Sequence, residues 1–151
     1  MAFKLGMDAT LYRGETLIAA DNLPSAITWA ELGNVRDLTL SLETGEADVT
    51  TRANNGWRAI AATLKDGSIE FEMVWDPSDA GFAAIRDAWL GNAEISLLSL
   101  DGDFSEPGNQ GLVSNFMVTN FSRAEPLEEA ITVSVTVKPS SFTDWFIVPA
   151  A

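Results

Sequence analysis

The sequence predicts a mainly β protein in which one helix lies across a sheet packed on one side. Three stretches, residues 35–43, 67–76 and 130–138, alternate apolar and polar residues with the period of two of a half-buried strand. A single stretch, 77–90, breaks that rhythm with apolar residues three and four apart.

In chain order, strands are expected first at 9–13 and 26–29. In 35–43, Leu38, Leu40 and Leu42 alternate with Asp37, Thr39, Ser41 and Glu43. The following segment, TGEADVTTRANNGWR (44–58), is polar and turn-rich at Asn54-Asn55-Gly56, yet carries Val49 and Trp57. It reads as a long loop, and loops of that length are usually functional or disordered. Lys65-Asp66-Gly67 reads as a turn into the next strand, where Ile69, Phe71, Met73 and Trp75 share one face and Glu70 and Glu72 the other.

The helix is expected over 77–90, with Asp76 as cap, Pro77 in the first position and Asp79 favouring the dipole. Phe82, Ile85 and Trp89 form its apolar stripe, and Gly91-Asn92 ends it. A strand at 94–100 and a flexible, turn-dense connection at 101–111 follow. In 112–123, Phe116 and Val118 face opposite to Met117 and Phe121, which implies burial on both faces. The last strand alternates Ile131, Val133, Val135 and Val137 with Thr132, Ser134 and Thr136, and Pro139 is expected to stop its ladder. Whether the tail at 142–151, with Trp145 and Phe146, folds on its own domain or on a neighbour is left open.

Composition narrows function. The 151 residues fit one domain, with no repeat or linker to divide them. Cysteine and histidine are absent, which removes disulfides, thiolate zinc sites, cysteine nucleophiles and most Ser-His-Asp chemistry. The net charge of −13, from 22 acidic and 9 basic residues, offers no basic stripe for gripping phosphates, although an acidic wall lets DNA slide past. No apolar run is long enough to span a membrane. The opening MAFKLGMDATLYRG lacks signal-peptide features, so synthesis into the cytoplasm is expected.

Candidate chemical sites fall away on inspection. Asp101, Asp103 and Ser105 open like a calcium loop, but Glu106 stands where glycine is needed and Leu112 where a bidentate glutamate belongs. Asp37, Glu43, Glu70 and Glu72 suit exposed strand carboxylates better than an acid–base pair. There is no Gly-rich phosphate loop. Arg52 and Arg58 fit solvated side chains or partners for a neighbour's carboxylates.

The order of pieces carries a resemblance. Trp29-Ala30-Glu31-Leu32-Gly33-Asn34-Val35-Arg36-Asp37-Leu38 leads to Asp48-Val49-Thr50-Thr51-Arg52, then to Leu64-Lys65-Asp66-Gly67 and Trp75-Asp76-Pro77 with its helix. A polar loop, Phe121-Ser122-Arg123, Glu125-Pro126-Leu127-Glu128-Glu129-Ala130 and a β-branched strand ending at Lys138-Pro139 complete it. Over most of its length the chain resembles the tail tube (major tail) proteins of long-tailed bacteriophages and related gene transfer particles. The resemblance implies a β-sandwich or distorted barrel with one flanking helix and no enzymatic activity, cofactor or metal. It implies six-subunit rings stacked into a tube in the virion tail, assembled in the host cytoplasm around a tape-measure protein, with terminator and initiator proteins. DNA would cross the channel without specific binding.

By position, the 44–58 loop would reach the adjoining subunit or ring, with Asp48, Val49, Thr50, Thr51, Arg52, Asn54, Asn55, Trp57 and Arg58 in contact. Asp37, Thr39, Ser41, Glu43, Thr132, Ser134 and Thr136 would be candidates for the channel lining. Two rivals remain: a tube protein of a contractile tail or type VI secretion system, and a carbohydrate-binding β-sandwich using Trp29, Trp57, Trp75, Trp89 or Trp145 as platforms, though Trp75 and Trp89 read as core.

Overall fold

A computed structural model of the protein describes residue 6 and residues 9–19, 21 and 23–149. Among them seven strands form one antiparallel sheet: β1 (Thr10–Gly14), β2 (Trp29–Glu31), β3 (Val35–Asp48), β4 (Ile60–Val74), β5 (Glu94–Leu100), β6 (Gln110–Ala124) and β7 (Thr132–Ile147). Their order across the sheet is β2-β1-β5-β6-β7-β4-β3, and one helix, α1 (Ala80–Leu90), joins β4 to β5.

The sheet is mainly β and sandwich-like without closing into a barrel. Register shifts at Val113/Asn115, Asn115/Phe116 and Val118/Asn120 bend the β6–β7 pair. Leu11 of β1 and Ile95 and Leu97 of β5 thereby meet Ile69, Phe71 and Met73 of β4 and Val133, Val135 and Val137 of β7 in one core. The extra residue Thr119 corrects the alternation expected for this strand: Phe121 returns to the core of Val118 and packs near Phe82 and Trp89. Burial on both faces holds only for 111–116 of this strand.

A second cluster of Tyr12, Ile18, Ile27, Leu98, Leu100, Val113 and Val148 covers the other side of β5 and the start of β6. Asn115 lies inside and stitches residue 18 to the sheet, its amide accepting from the Ile18 N–H and donating to the Ile18 carbonyl, each at 2.9 Å. Pro139 does not stop β7. It sits opposite Phe116 at an irregular step of the ladder, where a missing N–H is tolerated, and the strand runs on to Ile147. The tail therefore folds on its own domain as far as it is described, with Phe146 stacked on Phe104 and Val148 buried.

The helix begins three residues later than expected. Asp79, not Asp76, is the cap, accepting from the Phe82 N–H at 2.9 Å. Asp76 instead holds a turn through the Ser78 N–H and hydroxyl, and Pro77 lies outside the helix. The stop is as expected, and Asn92 takes the left-handed conformation while the Ala93 N–H returns to the Ala88 carbonyl. Trp75 is half-buried against Phe82, whereas Trp89 is partly exposed over Phe121, so only the first belongs inside.

Three other expectations change. Residues 24–26 form a short 3-10 turn, and the strand near them is Trp29–Glu31. Lys65, Asp66 and Gly67 are not a turn but pair mid-strand with Thr44, Glu43 and Leu42. The connection at 101–109 is pinned: the Tyr12 hydroxyl accepts from the Phe104 N–H at 2.9 Å, and Thr10 donates to the Gly102 carbonyl at 2.7 Å.

Two substitutions test this core, with a third as a surface control. Phe82→Ala, at a fully buried ring, should cost about 3–5 kcal/mol in denaturant unfolding, and Leu127→Ala, fully exposed, less than about 0.5 kcal/mol. Gly111→Ala places a methyl on the Ser99 carbonyl oxygen and should cost at least about 1–3 kcal/mol.

Candidate assembly surfaces

The alternation of β3, β4 and β7 sends one set of side chains into the core and the other to solvent. Thr39, Glu70, Thr136 and Asn120 form one row across β3, β4, β7 and β6. Glu72, Ser134 and Ser122 form a second, and a shallow depression joins Asp37 to both. Ser41, Glu43, Asp66, Ser68 and Lys138 continue the face toward the far end of β3. Thr132 sits at the opposite end, opposite Val74 and Ala124.

All seven residues proposed for a polar lining are thus on the outward side of one four-stranded surface. Asp66, Ser68, Glu70, Glu72, Asn120 and Ser122 complete it, and the period-two pattern of β4 already marked its share. Five carboxylates, Asp37, Glu43, Asp66, Glu70 and Glu72, face two cations, Arg36 and Lys138. Arg36 approaches Glu72 at 3.7 Å, a solvent-exposed pair worth little to stability.

Both borders of this surface are open. Among the described residues β3 hydrogen-bonds only to β4, and residues 118–124 of β6 only to β7, because β5 stops pairing at Met117. The β3 sequence VRDLTLSLETGEAD has neither proline nor lysine, the residues that commonly blunt an exposed edge.

Of the segment expected to be a loop at 44–58, residues 49–58 are one, while its first five residues belong to a two-stranded arm. Residues 44–48 extend β3 and pair with 60–65 of β4, with a register shift between Thr44 and Glu46, leaving 49–59 as the tip. Among the described residues the nine β4 residues before Ile69 pair only with β3; 65–67 still flank 139–145 of β7 across a pocket, and the arm extends from there. Its exposed apolar residues include Leu42, Val49, Trp57, Ile60 and Leu64, the last 84% exposed. Leu42, Ile60 and Leu64 escaped the sequence reading because alternation alone does not say where the core ends.

The tip is ordered by its own polar groups. Thr51 and Asn54 form a reciprocal cap around the 3-10 turn Arg52–Asn54, and Asn55 and Gly56 take positive φ. The Thr50 hydroxyl, then its backbone N–H, hold the Asp48 carboxyl below its usual range. Val49 and Trp57 remain exposed, as do Arg52 and Arg58, which have no ion-pair partner among the described residues.

Other chemistry finds no support. Asp103 accepts from the Ser105 N–H and hydroxyl, which hold its carboxyl below the usual range, and Asp101 accepts from the Gln110 N–H. No group of metal-ligating residues occurs among the described residues. The tryptophans make no shared platform: Trp29 is half-buried, Trp57 is at the arm tip, and Trp145 donates to Gln110.

Comparisons agree with this architecture. The model of the phage tail tube protein family matches residues 14–141. A chain of the virion of a native gene transfer agent particle superposes with a TM-score of 0.72 at 14% identity, covering 95% of this chain and 99% of that one. The SPP1 tail tube gives 0.65 at 13% identity, covering 97% and 76%. A chain of the anti-feeding prophage baseplate gives 0.61 at 9% identity, covering 99% of each. At such identities these structures establish the fold. No curated protein matches the sequence.

A carboxyl with a lowered pKa stabilises the fold above its unfolded pKa and loses that contribution as pH falls through the folded value. The Thr50 amide signal in NMR should therefore titrate with its midpoint below the ordinary aspartate range. Movement centred within or above that range would contradict the Asp48 contact.

Proposed function

We propose, on the premise that the chain belongs to the phage tail tube protein family, that copies close into rings around the polar four-stranded face and that rings stack into a tube. Membership makes the chain a structural subunit of a tail and not an enzyme. The observation that carries the ring is the coincidence of an uncovered polar face with two open edges of the same sheet. β3 and β6 lie three pairings apart in an antiparallel series, so a neighbour's β3 laid beside residues 118–124 continues the alternation. Cyclic closure then removes the exposed edges.

Six copies are supported by the fold match to a gene transfer agent tail with C6 symmetry. Asp37, Thr39, Ser41, Glu43, Thr132, Ser134 and Thr136 would then line the channel together with Glu70 and Glu72. Charge at this wall acts over roughly 8 Å at physiological salt. Its acidic excess repels phosphates and gives no cationic sites for counterion release, so DNA passes without being held. The arm, through Asp48–Arg58, would reach the adjoining ring. A tape-measure protein inside, initiator and terminator proteins at the ends, and gathering of subunits in the host cytoplasm belong to the same reading.

Negative-stain electron microscopy over rising protein concentration tests it. Hollow tubes of uniform width are expected, and replacing 49–59 by a two-residue turn should leave rings without tubes. A chain that stays monomeric at every concentration contradicts the proposal, and co-purification with a contractile sheath would assign the tube to the contractile class. Glu70→Lys with Glu72→Lys should leave tubes intact yet raise salt-sensitive DNA binding by about tenfold or more. Unchanged binding would mean that these residues do not face the channel.

A further inference from the structure

The arm tip and the β6–β7 turn occupy opposite ends of the same surface. β4 starts beside the tip at Ile60 and ends at Val74, level with Thr132 and Ala124, where the turn at 125–131 begins. Its 15 residues span about 50 Å, so the tip cannot fold back onto its own turn. Any contact between them joins different copies.

The two ends are chemically matched. Residues 49–59 carry Arg52 and Arg58 and no acidic residue, a cationic tip on a chain of net charge −13. The opposite end carries Asp76, Glu125, Glu128 and Glu129, all exposed, against Arg123, which is paired with Glu125 at 3.1 Å. Each end also presents an unburied apolar side chain, Trp57 at 78% exposure and Leu127 at 100%. Two such ends attract head-to-tail and repel tip-to-tip and turn-to-turn, which fixes one polarity of stacking.

We propose that the arm tip docks on the β6–β7 turn of a second copy in the adjoining ring, with Trp57 against Leu127 and Arg52 and Arg58 against Glu128 and Glu129. This rests on the tube reading and adds the receiving surface. The absence of cysteine allows a clean test. Ala53→Cys and Pro126→Cys proteins, both positions being exposed and both leaving Trp57 and Leu127 in place, are mixed under assembling conditions, oxidised and separated without reductant, while the same sample is viewed by electron microscopy. A mixed cross-link dominating over either like pair is expected. Glu128→Lys with Glu129→Lys in the Pro126→Cys protein should lower its yield about tenfold, and Arg52→Glu with Arg58→Glu in the partner should recover most of it. Tubes that form without the mixed cross-link overturn this docking and leave the tube reading standing. Neither assembly nor cross-link overturns both.

Discussion

The hydrogen-bonding capacity left open along β3 is the constraint on which the rest of the structure depends. A 14-residue strand that, among the described residues, has a partner on one side only leaves a row of backbone groups for water or another chain. A monomeric protein usually shortens such an edge or interrupts it with lysine or proline. Here it is long, and a second open stretch lies on β6 at the other border of the same surface. An edge of this kind is a liability in isolation and an adhesive in a ring.

Packing explains how a small domain can spare so much surface. The bends in β6 and β7 let their two halves serve different walls, so one continuous sheet encloses its core with α1 and Leu32 packed against it. Phe116, Phe82 and Val133, Val135 and Val137 of β7 are among its fully buried residues. With stability concentrated there, the polar face and the arm are free to be shaped by what lies outside the subunit.

Much of this was legible in the sequence because alternation is a local signal. The inward residues Ile69, Phe71, Met73, Val133, Val135 and Val137, the outward Thr39, Thr136 and Ser134, and the strand at 94–100 follow from a period of two. The errors arose where a local signal meets a non-local partner. Lys65-Asp66-Gly67 has turn composition, yet pairing with β3 makes it strand. Pro139 ends a ladder only if every N–H is needed, and the irregular step beside Asn115 removes that need. Asp76 and Asp79 are both competent caps, and Asp76 is taken up by the turn at Ser78 while Asp79 receives the Phe82 N–H. The extent of the arm was hidden for the same reason, since 44–48 (TGEAD) and 60–68 (IAATLKDGS) lack a period of two and become strand only by pairing with each other.

Hydrogen–deuterium exchange on dispersed and assembled protein tests the ring most directly. Closure through the two open edges predicts that amides of β3 and of residues 118–124 gain strong protection on assembly, while β5, already paired on both sides, changes little. Assembly that leaves β3 exchanging as it does in the dispersed subunit would contradict the account.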